Sequence, residues 1–218
     1  MRPLARLSAV LLLSLVPSLG ASPVVLAPET IIEDPAHAPG WSDLFAQLSQ
    51  PRTRFSTFEE RRTFPFRTKP VVLQGQIRLS PERGLSLHYG GDKPQTIVID
   101  REGVLMRNDR GRERAAPADS RADAVTSALF HILHFDLAAL ADEFVVHGLR
   151  DGEAWTLGFE PRDASLVKTL GSVVVHGRGA ALERIEMLKS DNQKIEILIG
   201  ATREGVAFTP DELQRFFR

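Results

Sequence analysis

The chain has no cysteine among its 218 residues. A disulfide framework, a thiol nucleophile and a thiolate metal site are therefore excluded, and no cysteine is present to accept a lipid at a processing site. An excess of one charge is lacking too: 27 Lys and Arg stand against 28 Asp and Glu. With a formal net charge of −1, the totals give no sign of a nucleic-acid partner, and none is expected. The motifs of common catalytic sites are missing as well. There is no GxSxG elbow, no HExxH and no glycine-rich phosphate loop before a helix. Gly177-Arg178-Gly179 sits between two strands, and Gly171-Ser172 reads as a turn. Glu59 and Glu60 are strand neighbours that point to opposite faces and cannot share a substrate. His131 and His134 have the i, i+3 spacing a metal site could use, but no third ligand accompanies them. The expectation is a protein without metal or cofactor that is not an enzyme.

The chain also lacks an apolar run of the roughly 20 residues a membrane span needs. Its first twenty residues instead have the three parts of a secretory signal. Met1–Arg6 is basic, Leu7–Val16 is apolar, and Ser18 and Gly20 are small residues placed for cleavage after Gly20. This predicts a signal peptide over 1–20 and export to the periplasm. Residues 21–40 are rich in Pro and Ala without period and are expected to be a flexible arm. Residues 41–218 form the remaining domain, long enough to build a core without disulfides.

What the sequence has in abundance is alternation. Leu73, Ile77 and Leu79 fall on one face of a strand, and Gln74, Gln76 and Arg78 on the other. Leu85, Leu87 and Tyr89 alternate with Ser86 and His88, Trp155, Leu157 and Phe159 with Thr156 and Gly158. Period two describes antiparallel strands with one apolar and one polar face. Five strands are expected between Thr53 and Asn108 and five more between Glu143 and Ile199. Their turns include Gly90-Gly91-Asp92, Asp151-Gly152 and Asp191-Asn192. The charge run Glu59–Arg62 is expected to be a solvated strand end. Helices are expected at about Ser42–Gln50, from an Asp119 or Ser120 cap to about His131, over Leu137–Ala141, and after Thr209-Pro210. Arg110–Arg121 reads as a mobile loop. The sum is a mainly β (α+β) domain built on one large, strongly curved antiparallel sheet, closed or nearly closed, with amphipathic helices on its concave side.

Several segments in this order are similar to one family. They are Phe55–Arg61, Lys69-Pro70, Gly75–Leu79, Pro81–Tyr89 followed by Pro94, Leu129–Phe144, and the W-x-L-x-x-x-P run Trp155–Pro161. Together they resemble the LolA-like family, the periplasmic outer-membrane lipoprotein carrier and its relatives. Where that carrier has an Arg before the proline and a Trp in the same segment, this chain has Ser80 and Leu87. The resemblance implies an incomplete β-barrel covered by a helical lid, with a hydrophobic cavity for acyl chains between them. The residues expected to line it are Leu73, Ile77, Leu79, Leu85, Leu87, Ile97, Ile99, Trp155, Leu157 and Phe159 from the sheet. Leu129, Ile132 and Leu133 would come from the lid.

The expected function is therefore a periplasmic carrier of acyl chains of lipids or lipoproteins, acting as a monomer. Transient contacts with an inner-membrane exporter and an outer-membrane acceptor follow from the same resemblance. A second reading stays open, a lipid-sensing module that regulates a membrane partner. A third, an enzyme acting on lipids, would need clustered His, Asp or Glu and Ser inside the cavity.

Overall fold

The structure, a computed structural model, describes residues 27–115, 120–190 and 192–218, with backbone alone for 120–123 and 126. The signal peptide expected over 1–20 and Asp119, one of the two residues expected to cap the following helix, lie outside these, as does the Asp191 half of the last hairpin turn; Ser120 is the first residue of that helix.

Twelve strands form a single antiparallel sheet. In chain order they are β1 (Arg54–Thr63), β2 (Val71–Ser80), β3 (Gly84–Tyr89), β4 (Gln95–Asp100), β5 (Gly103–Asn108), β6 (Glu113–Ala115), β7 (Phe144–Asp151), β8 (Ala154–Pro161), β9 (Ser172–Arg178), β10 (Ala181–Ser190), β11 (Gln193–Ile199) and β12 (Arg203–Glu204). The helices are α1 (Ser42–Leu48), α2 (Ser120–His134), α3 (Leu137–Glu143), α4 (Ala164–Thr169) and α5 (Pro210–Phe216). Across the sheet the order is β6-β5-β4-β3-β2-β1-β11-β10-β9-β8-β7, with β12 beside the start of β1. Two meanders are thus joined where β1 pairs with β11, Phe58 opposite Ile199 and Glu60 opposite Ile197. The outermost strands β6 and β7 do not pair, so the curled sheet is an open cup, the incomplete barrel that the sequence leads one to expect.

The alternation determines which side chains point into the cup. Leu73, Ile77 and Leu79 of β2 share a face with Leu85, Leu87, Ile97 and Ile99, as their register across β2, β3 and β4 requires. Gly75 is needed where it stands, because a Cβ there would meet the His88 carbonyl at 2.3 Å and the Phe58 ring at 2.6 Å. One half of the cup is filled. Leu44, Phe45 and Leu48 of α1, Ile132 of α2, Leu140 of α3 and Leu166 of α4 pack with Phe144, Trp155, Leu157, Phe159, Val173 and Val175. Asp163 caps α4 by accepting from the Ser165 and Leu166 N–H groups, and Gly171, at φ 74°, follows its end. Alternation carries no signal for so short a helix between two strands, whereas the Asp and Gly are a legible pair of stop marks.

The described part of the expected flexible arm, residues 27–40, is fastened to the sheet. Ile31 pairs with His147, the Ile32 N–H donates to the Val146 carbonyl at 2.8 Å, and Ile32 is buried. This segment covers the free edge of β7, which would otherwise present unpaired backbone groups.

Two further expectations are corrected. First, the charge run on β1 is not wholly solvated. Glu59 and Arg61 face outward, but Glu60 points into the cup, is 2% exposed, and pairs with Arg62. Its other oxygen accepts the Tyr89 hydroxyl at 2.6 Å. Burial, and then the bond to Glu60, push the Tyr89 hydroxyl above its ordinary pKa. Second, helices do not keep to the concave side. α5 lies against the outer face of β2–β5, where Arg78 is sandwiched 3.6 Å from the Phe216 ring centre and 5.0 Å from that of Phe55. Burial lowers the Arg78 pKa, partly countered by Glu212. Beneath the C-terminal segment, Val98 on this outer face is fully buried. The polar side of the alternation is therefore dry here, because three apolar or aromatic side chains, Phe55, Phe216 and Phe217, had to be covered.

Arg107 fixes this outer layer. Its guanidinium donates to the carbonyls of Gln214 at 3.2 Å, Arg215 at 2.6 Å and Phe217 at 3.1 Å, at the negative end of α5. Arg218 adds a fork to both oxygens of Asp100 at 2.8 Å. Replacing Arg107 with Met is expected to cost about 1.5–3 kcal/mol, the range for hydrogen bonds to a charged group. Hydrogen exchange should show faster opening of residues 210–218 while β7–β11 stay protected; an unchanged α5 would refute the clamp.

Candidate functional site

Where the two meanders meet, the concave face is not filled. An apolar cavity of about 270 Å³ lies over β3, β2, β1, β11 and β10. Its floor is Ile77, Leu79, Leu85 and Leu87 on one side and Leu182, Ile185, Ile197 and Ile199 on the other. Leu133 and Phe135, at the end of α2, and Leu48, at the end of α1, form the roof. The reason for the hollow is visible in the side chains. The β7–β8 half of the cup carries Phe144, Trp155 and Phe159, while the middle offers aliphatic groups together with Ser56, Ala180, Ala181 and Thr202. These are too short to reach across, and the helices span the gap.

Five of the expected lining residues, Ile77, Leu79, Leu85, Leu87 and Leu133, border this cavity. Ile97 and Ile99 share its face one strand away and pack in a small cluster with Leu79, Leu85, Phe130 and Leu133. Leu73 is on the inner face beyond Gly75, directly opposite Glu60. Trp155, Leu157, Phe159 and Ile132 are placed in the packed half, each 2% exposed or less, and do not border the cavity. Leu129 packs at the margin of that same cluster. The β10–β11 wall was missed by the sequence reading. Its inner residues alternate as clearly as the others, but nothing local in the sequence says that β11 returns to lie beside β1.

Polar groups are gathered at one end of the cavity. The Ser56 hydroxyl donates to the Gly200 carbonyl at 2.8 Å and needs no further partner. Arg54 donates from Nε to Glu204 at 3.1 Å, and Arg52 reaches the other oxygen of Glu204 at 2.8 Å. The bond from Arg52, followed by Arg54, holds the Glu204 carboxyl below its ordinary pKa, against some burial. Further along β1, beyond Phe58 and outside the cavity, Glu60, Arg62 and Tyr89 satisfy one another and leave the carboxylate without a free oxygen. No group of three His, Asp or Glu side chains among the described residues is arranged to hold a metal ion. The cavity wall is mainly aliphatic, with Arg54, Ser56, Thr202 and Glu204 as its polar members.

The roof hangs on an unusual joint. Phe135 has φ 50°, the left-handed conformation usually left to glycine at a helix end. The Phe135 N–H donates to the Ile132 carbonyl at 3.2 Å and the Asp136 N–H to that of His131 at 3.0 Å, the two bonds of a Schellman ending. The ring is 3% exposed and meets Trp155 edge-on at 6.5 Å. Packing of the ring therefore outweighs the backbone cost of about 1–2 kcal/mol. Beside it, His134 stacks on Phe130 at 4.0 Å and donates from Nδ1 to the Phe130 carbonyl at 2.8 Å. Burial pushes His134 below the ordinary histidine pKa, and His131, Arg54 and Arg101 add to this.

One family model matches most of the chain. The family model described as outer membrane lipoprotein carrier protein LolA-like matches residues 35–217. Among solved structures, a LolA superfamily protein from Nitrosomonas europaea is similar with 8% identity and a TM-score of 0.40, covering 81% of this chain and 96% of that one. The structure of MucB is similar with 17% identity and a TM-score of 0.40, covering 80% of this chain and 61% of MucB. No curated protein matches the sequence. No helix among the described residues is long and apolar enough to cross a membrane.

Two outcomes are expected at the roof. Phe135→Gly relieves the backbone but deletes the ring, for a net loss of about 2–4 kcal/mol in denaturant unfolding; a stabilised variant would overturn this account. Because His134 is held below its unfolded pKa of about 6.5, the unfolded chain takes up the proton first, and stability should fall as pH drops through that value. His88, also lowered by burial, acts in the same direction. A His134→Phe variant should show a shallower loss between about pH 7 and pH 5, and slopes identical to the wild type would count against it.

Proposed function

Because the chain belongs to the LolA-like family of outer membrane lipoprotein carrier proteins, we propose that it is a non-catalytic periplasmic carrier of acyl chains. The observation that carries this reading is the hollow of about 270 Å³, lined by Ile77, Leu87, Ile185, Ile197 and other aliphatic side chains under a helical roof. Its size is near the lower end of the ~300–1,000 Å³ of small-molecule sites, suited to one slender chain. Each buried methylene contributes about 0.8 kcal/mol, so a chain can be held without any polar contact. A packed core would have used that surface for stability, as the β7–β8 half does.

The cavity floor belongs to the rigid sheet, while the roof is the end of α2 and its joint to α3. Entry and release then need only the roof to shift, since the strands beneath are tied by continuous pairing. Transit toward the outer membrane, with a donor at the inner membrane and an acceptor at the outer one, completes the proposal. The lipid or lipoprotein nature of the cargo is part of it.

The test is direct. Purified from its own periplasm, the protein should yield lipid or lipopeptide to mass spectrometry, and it should take up a fluorescent fatty acid. Ala181, exposed on β10 at the cavity rim, offers a plug that leaves the core alone. Ala181→Trp should weaken uptake by about tenfold or more, equivalent to about two buried methylenes, with an unchanged unfolding midpoint. No extractable lipid and no uptake by the wild type would end the carrier reading.

A further inference from the structure

We propose that the apolar cavity is the tail half of a two-part site, and that the cargo is an acyl lipid with an anionic head group, a phosphate or a carboxylate. This rests on the carrier reading and specifies what it carries. The head half is a separate cleft of about 450 Å³ between the end of α1, the β4–β5 turn and the α2–α3 joint. Leu48, Arg54, Leu79 and Phe135 border both spaces, so the two are divided by a single layer of side chains. A chain lying over Leu79 and Phe135 would bring its head into the cleft without leaving protein surface.

The two halves differ in chemistry. The cleft is walled by Arg52, Arg54, Arg101 and His134, with Asp136 as its acidic member. Arg52 and Arg54 share one carboxylate, Glu204. Asp136 already lies 3.3 Å from His131. Arg101 is exposed in the β4–β5 turn and makes no ion pair among the described residues. Three guanidiniums thus face two carboxylates, both engaged, which leaves net positive charge beside an apolar hole. Guanidinium forks suit phosphate and carboxylate.

His134 is also a member of the cleft wall. Its Nε2 is buried and has no partner. Since Nδ1 donates to the Phe130 carbonyl, Nε2 of the neutral ring is a bare acceptor.

The experiment compares three probes of equal chain length: oleate, oleoyl-lysophosphatidate and monooleoylglycerol. Displacement of a bound fluorescent fatty acid from the full chain gives their affinities. The anionic probes should bind about tenfold or more tighter than monooleoylglycerol, and the difference should shrink in high salt. Arg101→Gln and Arg52→Gln should remove most of that preference and leave monooleoylglycerol binding unchanged, since neither residue borders the tail cavity through its charge. Lysophosphatidate above oleate identifies phosphate as the head; the reverse order identifies carboxylate. Equal binding of all three, insensitive to salt and to both variants, overturns the inference while the carrier reading survives. If none of the three binds, both fall.

Discussion

The seam between β1 and β11 is the constraint on which the rest of the structure depends. It joins two meanders that would otherwise each expose an apolar face, and its register places Phe58, Glu60 and Arg62 against Ile199, Ile197 and Ile195. A slip of one residue would turn Thr57, Glu59 and Arg61 into the cup and move the apolar set to solvent. The cavity floor exists because this seam sets Ile77 and Ser56 beside Ile197 and Ile199. Neither meander possesses the site alone.

Filling of the cup is unequal, and the inequality makes the site. Aromatic rings and four helices close the β7–β9 side, while the seam is floored by Ile, Leu and small residues. Apolar area left without partner atoms forgoes dispersion energy, and Phe135 in a left-handed conformation adds a local cost. Both are tolerable because the packed half supplies stability, so the soft element is confined to the end of α2. The charged cleft sits at that same end, which brings roof, tail cavity and head group under a single joint.

Much of this was legible in the residues. Period two assigned the strands and the inward face of β2, β3 and β4, and Asp136, Thr209 and Pro210 announced their helices. Other features were hidden for identifiable reasons. The C-terminal helix was expected on the concave side, but Phe55, Phe216 and Phe217 demanded cover on the other face, and Arg107 and Arg218 held it there. The run Glu59–Arg62 looked uniformly wet because a charge run carries no sign of a half-buried tyrosine partner 29 residues away. Trp155, Leu157 and Phe159 read as cavity wall since alternation marks an inward side chain without saying whether anything stands opposite.

The sequence by itself determined ten of the twelve strands, their two faces and the order of the motifs; the short β6, inside the expected loop 110–121, and β12 carry too few residues for an alternation to show. Those properties are local, fixed by the backbone period and by short-range spacing. Only the tertiary structure decided where the cup is full and where it is hollow, because a void is defined by side chains from β3, β2, β1, β11 and β10 that meet across more than a hundred residues of chain. The same holds for the cleft, where Arg52, Arg54, Arg101 and His134 acquire a common purpose through proximity alone.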